Sequence, residues 1–188
     1  MIPMQVYNTL QVQEERAKLM KIKHLIIGGG AIDEALANDL KSFPNHVWST
    51  YGMTETLSHI ALRKLNGQDA SDWYTPFDNV RIRLSEEGTL IIHAPNVCAE
   101  ELTTNDIAEI NGEGKFRILG RKDNTINSGG VKIQIEQVEG LLRKHLDITF
   151  QITARKDAKF GEIVVLIYNK VGNEANIRQV CENTLPTY

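Results

Sequence analysis

A short parallel α/β segment, a small antiparallel β region and a terminal α+β unit are what the 188-residue sequence predicts, in that order. Three observations predict them. The run 21–27, which alternates and then turns continuously apolar, meets Gly28-Gly29-Gly30, and a helical pattern and a second strand-like run follow. Two pairs of alternating runs then flank turns at Glu86-Glu87-Gly88 and Asn111-Gly112-Glu113-Gly114. Finally, the charged stretch Arg121-Lys122-Asp123-Asn124 separates these from a new strand and helix pattern.

Residues 8–20 carry a pattern that suits one helix, with Glu14 and Glu15 on its exposed face. Residues 21–27 suit a buried strand, and the three glycines end it. The next helix spans 33–42, with Asp33 and Glu34 at its positive end. Pro44-Asn45 closes that helix, and His46-Val47-Trp48 opens the following strand. Strand, glycine turn, helix, strand is a βαβ unit with a parallel sheet. Ligands bind beyond the carboxyl ends of such strands, so Gly28–Gly30 and Tyr51–Glu55 fall on one side of it.

Past Leu65 the alternating runs 79–84 and 89–93 read as a hairpin, as do 107–110 and 115–119. The charged stretch at 121–124 is a candidate boundary, because polar linkers with few apolar anchors are where domains join. Beyond it come a strand through Ile133, a helix over 136–145 with Glu136 and Glu139 facing outward, strands at 148–153 and 162–168, and a helix from Glu174 to about Asn183.

Hydrophobic content of 41%, charged content of 24% and a net charge of −3 are those of a globular chain without the basic excess that nonspecific nucleic-acid binding needs. No run is long and apolar enough to span a bilayer, and the first residues lack the pattern of a signal peptide. Cys98 and Cys181 have no metal-ligand spacing and read as reduced thiols of a cytoplasmic protein.

The chemistry concentrates in Thr50-Tyr51-Gly52-Met53-Thr54-Glu55-Thr56. An aromatic ring stacks on a base, a glycine admits close backbone approach, hydroxyl and amide donors suit phosphate, and a carboxylate can share Mg²⁺ with phosphate oxygens. A strand end followed by a turn is the plain alternative. A second group, Gly120-Arg121-Lys122-Asp123 with Asn127-Ser128-Gly129-Gly130-Val131-Lys132-Ile133, follows Thr104-Asn105-Asp106.

The order and spacing of these motifs resemble the adenylate-forming superfamily of acyl-CoA synthetases, luciferases and peptide-synthetase adenylation domains. The resemblance implies that Gly29, Gly30 and Ala31 line the adenine side of a pocket. It implies that Tyr51 stacks on adenine beside Gly52 and Met53, that Thr54 bonds the α-phosphate, and that Glu55 holds Mg²⁺. Asp106 would accept from the ribose hydroxyls and Arg121 would reach the same sugar. Asp123 would be the hinge, and Ser128-Gly129-Gly130 the loop that borders the pantetheine tunnel of coenzyme A.

By the same resemblance 1–120 is the later part of a large nucleotide-binding domain, divided into an α/β piece at 1–65 and an antiparallel region at 66–120. Residues 121–123 are the hinge, and 124–188 a truncated small domain. The glycine- and serine-rich phosphate loop and the late lysine of the family are not in the sequence, so the chain is expected to be an inactive piece of a longer enzyme. Leu185-Pro186-Thr187-Tyr188 resembles the run that precedes the lysine segment. The implied reactants are ATP with Mg²⁺, coenzyme A and a small carboxylic acid. Within the superfamily the heptad and the Ser128-Gly129-Gly130 region most resemble o-succinylbenzoate–CoA ligases; ligases for other fatty or aryl acids and a non-catalytic nucleotide-binding module are the alternatives. Asn105 stands where the family carries glycine, and its tolerance of left-handed angles suggests that the turn is kept.

Overall fold

The computed structural model describes residues 1–169 and 173–186; Thr187 and Tyr188, the end of the terminal run noted above, lie outside them. The chain divides into two compact units, Met1–Thr104 with Ala108–Arg117, and Asn105–Ile107 with the described residues from Ile118 onward.

The first unit opens with two helices, α1 (Pro3–Leu10) and α2 (Gln13–Leu19), where the pattern had suggested one helix over 8–20. The reason lies in the core. Leu10 and Leu19 are nine positions apart, which places them about 180° apart on one continuous helix at roughly 100° per residue. The break at Gln11–Val12, where Val12 is extended, lets both leucines reach a single core with Val6 and Val47.

Strand β1 (His24–Ile27) pairs parallel with β2 (His46–Gly52), in the register Ile27 to Ser49. Between them α3 (Glu34–Lys41) buries Leu36 and Leu40, and Asp33 caps it by accepting the Leu36 N–H at 2.9 Å. The expected βαβ unit is thus present. The sequence reading did not foresee β3 (His59–Lys64), which returns antiparallel along β2, or the short β4 (Thr75–Pro76) beside it. Buried Asn66 ties that return down: its side chain accepts from the Val47 N–H and donates to the Phe43 and Asn45 carbonyls.

The antiparallel region holds β5 (Arg81–Leu84), β6 (Thr89–His93), β7 (Leu102–Ile110) and β8 (Phe116–Arg121), in that order across one sheet. Both expected turns form where their sequences supply the means. The Ser85 hydroxyl accepts from the Thr89 N–H, and the Asn111 side chain accepts from Glu113 and Lys115 N–H groups.

The second unit contains the hairpin β9 (Thr125–Ser128) and β10 (Val131–Gln134), and the longer hairpin β11 (Phe150–Asp157) and β12 (Gly161–Tyr168). Helix α4 (Ile135–Leu142) buries Val138 and Leu142 one turn apart, and α5 (Glu174–Thr184) adds Ile177 to the same core. The helix expected to reach residue 145 ends at Leu142. Two glutamates of α4 depart from the expected outward face. Glu139 does not face outward: it accepts the Ile152 N–H at 3.0 Å and pairs with Arg143 at 3.2 Å, fastening α4 to β11. Glu136 also turns inward, where its carboxylate accepts from the Asn124 amide at 2.6 Å. No helix among the described residues is long and apolar enough to cross a membrane.

Candidate functional site

In the first unit the carboxyl ends of the two parallel strands lie side by side. Gly28 follows β1 so closely against Thr50 that a Cβ there would collide with the Thr50 hydroxyl. Gly29, Gly30 and Ala31 follow it, exposed, with Gly29 in the left-handed region at φ 80°. The glycine turn and the aromatic-to-glutamate heptad are therefore brought together, as βαβ geometry requires.

The heptad is built around a change of direction. Between Tyr51 and Gly52 the pairing of β2 with β3 shifts register, a bulge of the kind that re-aims neighbouring side chains. Gly52 has no room for a side chain, since a Cβ would strike the Ser58 carbonyl oxygen and lie 2.6 Å from the His59 Cα. A single 3-10 turn, Thr54–Thr56, follows, and Leu57 leaves it with φ 58°, which a non-glycine residue adopts only under some strain. That strain buys a tight corner with Thr54 and Glu55 at its outer edge.

Tyr51 is half-buried. Its ring meets Phe116 edge-on at 5.1 Å and Tyr74 at 5.9 Å, so its position is set by an aromatic cluster. Two of the hydroxyls in the heptad serve different ends. Thr56 is fully buried and its Oγ1 accepts from the Met53 N–H. Thr54 is exposed, as is Glu55, and neither side chain has a bonding partner among the described residues. His59, just beyond the heptad, is exposed; its Nδ1 lies 3.1 Å from the Ser58 hydroxyl and its ring packs edge-on against Phe77.

The second unit collects the other residues. Asp106 sits within strand β7, not at a turn, with its side chain only 14% exposed. Asn105 beside it has extended backbone, so the left-handed angle expected of it is not used. Arg121 reaches both acids, donating to Asp106 Oδ1 at 3.1 Å and to Asp123 Oδ2 at 3.1 Å. The Asn105 amide donates to the same Asp123 oxygen at 3.3 Å. Arg121 is thus exposed yet tied to two carboxylates. Asp123 lies in the 3-10 turn Lys122–Asn124, whose next residue begins β9.

Ser128, Gly129 and Gly130 form the end of β9 and its turn into β10. Gly129 and Gly130 both have positive φ, 59° and 89°, which glycine alone adopts freely. The Gly129 N–H donates to the Phe160 carbonyl at 2.8 Å, so the tip of the β11–β12 hairpin supports this loop. Asp157 shapes that tip by accepting from the Lys159 and Phe160 N–H groups at 2.8 and 2.9 Å; these bonds hold its carboxyl below the ordinary value of 3.8.

Among the described residues no three His, Cys, Asp or Glu side chains gather as a metal site. The exposed, unpartnered Glu55 carboxylate suits a metal held jointly with phosphate oxygens. Sequence reasoning named Thr56 only as a member of the heptad and did not find Asn66, since the roles of both depend on burial, nor the bond from Asn105 to Asp123.

No family model matches the chain. It is 27% identical over 196 residues to a 2-succinylbenzoate–CoA ligase of Bacillus cereus, with 89% of the chain matched to 41% of that protein. The chain thus spans about two fifths of the length of the curated relatives it matches. Its structure is similar, at a TM-score of 0.61 and 32% identity, to an acyl-CoA synthetase (AMP-forming)/AMP-acid ligase II-like protein of Dyadobacter fermentans, covering 97% of this chain and 53% of that one. It is also similar, at a TM-score of 0.75 and 21% identity, to the o-succinylbenzoate CoA synthetase of Bacillus subtilis solved with its acyl-adenylate intermediate, covering the whole of this chain and 44% of that one. The mixed α/β architecture is that of the carboxyl-terminal region of adenylate-forming enzymes. The resemblance carried by the motifs is borne out in both sequence and fold.

Proposed function

We propose that the chain carries the adenylate-binding, hinge and thioester-forming segments of an AMP-forming acid–CoA ligase, and that its acid is o-succinylbenzoate. The single observation that carries this reading is the corner at Tyr51–Glu55. A rigid, aromatic-backed strand end presents a bare glycine, a free hydroxyl and a free carboxylate beside a second glycine turn. The names of the curated relatives support the choice of acid.

In this reading the Tyr51 ring stacks on adenine, with Gly29, Gly30 and Ala31 lining its edge and Gly52 and Met53 giving the backbone room to approach. Attack of the acid's carboxylate on the α-phosphorus of ATP breaks the bond to the leaving pyrophosphate and builds charge on equatorial oxygens, and fixed donors such as the Thr54 hydroxyl stabilise that charge. Bound Mg²⁺ would neutralise phosphate charge, and Glu55 would hold it. Asp106 and Arg121 take the ribose, 121–123 is the hinge between a large and a small domain, and Ser128-Gly129-Gly130 borders the thiol of coenzyme A. Domain closure keeps water from the acyl adenylate until the thiol attacks its carbonyl carbon and expels AMP.

Binding of stable acyl-sulfamoyl adenosines tests the reading. Calorimetry is expected to show the o-succinylbenzoyl form binding at least tenfold tighter than benzoyl and fatty-acyl forms. Equal affinity for all three removes the choice of acid, and no binding of any of them removes the adenylate site.

A further inference from the structure

In the second unit Arg121 spans two carboxylates, Asp106 Oδ1 and Asp123 Oδ2, at 3.1 Å each. Asp123 Oδ2 has a second donor, the Asn105 amide at 3.3 Å. The two acids differ in setting, since the Asp106 side chain is 14% exposed and that of Asp123 is 56% exposed. The next residue, Asn124, bonds Glu136 at the start of α4, so the turn Lys122–Asn124 is anchored on one side to the helix and on the other to β7. The Thr125 N–H donates to the Lys122 carbonyl and closes the turn.

We infer that Asn105 is a positioning residue for the turn at 122–124, sharing Asp123 with Arg121 so that a ligand drawing Arg121 away leaves the Asp123 carboxylate held by the Asn105 amide, an uncharged donor. The second half of this inference rests on the proposed ribose role of Asp106 and Arg121. A ribose diol donates to the Asp106 carboxylate and takes the place of one Arg121 contact. A guanidinium drawn toward that sugar gives up Asp123. What then holds the hinge carboxylate is the Asn105 amide, which lacks the charge that makes the Arg121 bond strong. Occupancy of the nucleotide site and freedom of the turn are coupled through one guanidinium, and the residue at 105 sets the residual grip. A glycine there would supply no grip at all.

Amide hydrogen exchange at Thr125, followed by NMR on the whole chain, tests this. Asn105→Asp is nearly isosteric and places a like charge against Asp123, while Asn105→Gly removes the donor. Without ligand, Thr125 exchange is expected to rise about 2- to 12-fold in Asn105→Gly, the range for one net hydrogen bond, and further in Asn105→Asp. Amides of α4 should exchange as before, which shows the fold intact. Adding AMP should raise Thr125 exchange in the natural chain and have a smaller effect in Asn105→Asp. Unchanged Thr125 exchange in both variants overturns the role of Asn105 even where AMP binds. Binding of AMP that slows Thr125 exchange overturns the competition for Arg121. No AMP binding at saturating concentration removes the ribose reading and the competition with it, a result distinct from the variant data.

Discussion

The Thr56 hydroxyl accepts the Met53 backbone N–H at 3.1 Å and lies 2.7 Å from the Ser58 carbonyl oxygen, so one buried side chain closes the corner that presents Thr54 and Glu55. Within the side chain, the hydroxyl is the group that does this. Thr56→Val keeps the shape and leaves a buried N–H without an acceptor. That costs about 1–3 kcal/mol. Urea denaturation should show a lower midpoint with an unchanged slope, and Thr56→Ser should recover most of it.

Gly52 is a packing requirement of the same corner. In Gly52→Ala the new methyl meets backbone atoms of Ser58 and His59, which cannot rotate away as a side-chain tip can. Forced shifts of this kind cost roughly 1–3 kcal/mol. Thermal unfolding should fall accordingly, and affinity for AMP should drop with it because Tyr51 precedes the displaced bond.

Tyr51 separates the aromatic cluster from the base-stacking role. Tyr51→Phe keeps the ring against Phe116 and should bind AMP within a few-fold of the natural chain, whereas Tyr51→Ala loses a stacking partner worth about 1–3 kcal/mol. Fluorescence or calorimetric titration with AMP reads the difference. Equal affinities for the two variants would exclude Tyr51 from the base.

Much of this was legible in the sequence because short-range chemistry fixed it. The three glycines, the Asp33 cap and the turns at 85–89 and 111–115 each name their own local geometry. The single helix over 8–20 failed because local periodicity cannot register that Leu10 and Leu19 must enter one core. Glu136 and Glu139 were misread for a related reason. A carboxylate on a helix has a solvated face by default, and only the distant Asn124 and Ile152 show what these two serve. Strand β3 has a turn signal after it, Asn66-Gly67, but none before it beyond Leu57 and Ser58, whose corner depends on the buried Thr56.

Acid should loosen the hairpin tip at Asp157. Its carboxyl is held below 3.8 by the Phe160 and Lys159 N–H groups. A depressed folded value means that the contribution is fully present above the unfolded value and is lost as pH falls through the folded one. Exchange of the Lys159 and Phe160 amides, corrected for intrinsic pH dependence, should therefore rise on acidification below about pH 4, with the ordinary value marking where the loss begins. In Asp157→Asn that extra rise should be absent. A rise of equal size in the variant would exclude Asp157 as its origin.

Glu136 has a buried end. One carboxylate oxygen takes the Asn124 amide at 2.6 Å, while the other is buried without a hydrogen-bond partner, as is Gln134 Oε1. Both orphan oxygens face Gly120, within 2.7 and 2.8 Å of where a Cβ would stand. Two unpaired acceptors in one place oppose folding, and a charged one does so most. Glu136→Gln keeps the acceptor for Asn124, removes the buried charge and sets an N–H₂ beside Gln134. It should stabilise the second unit by about 1 kcal/mol, read as a higher urea midpoint for α4 amide exchange. A lower midpoint would show that the carboxylate charge itself is needed there.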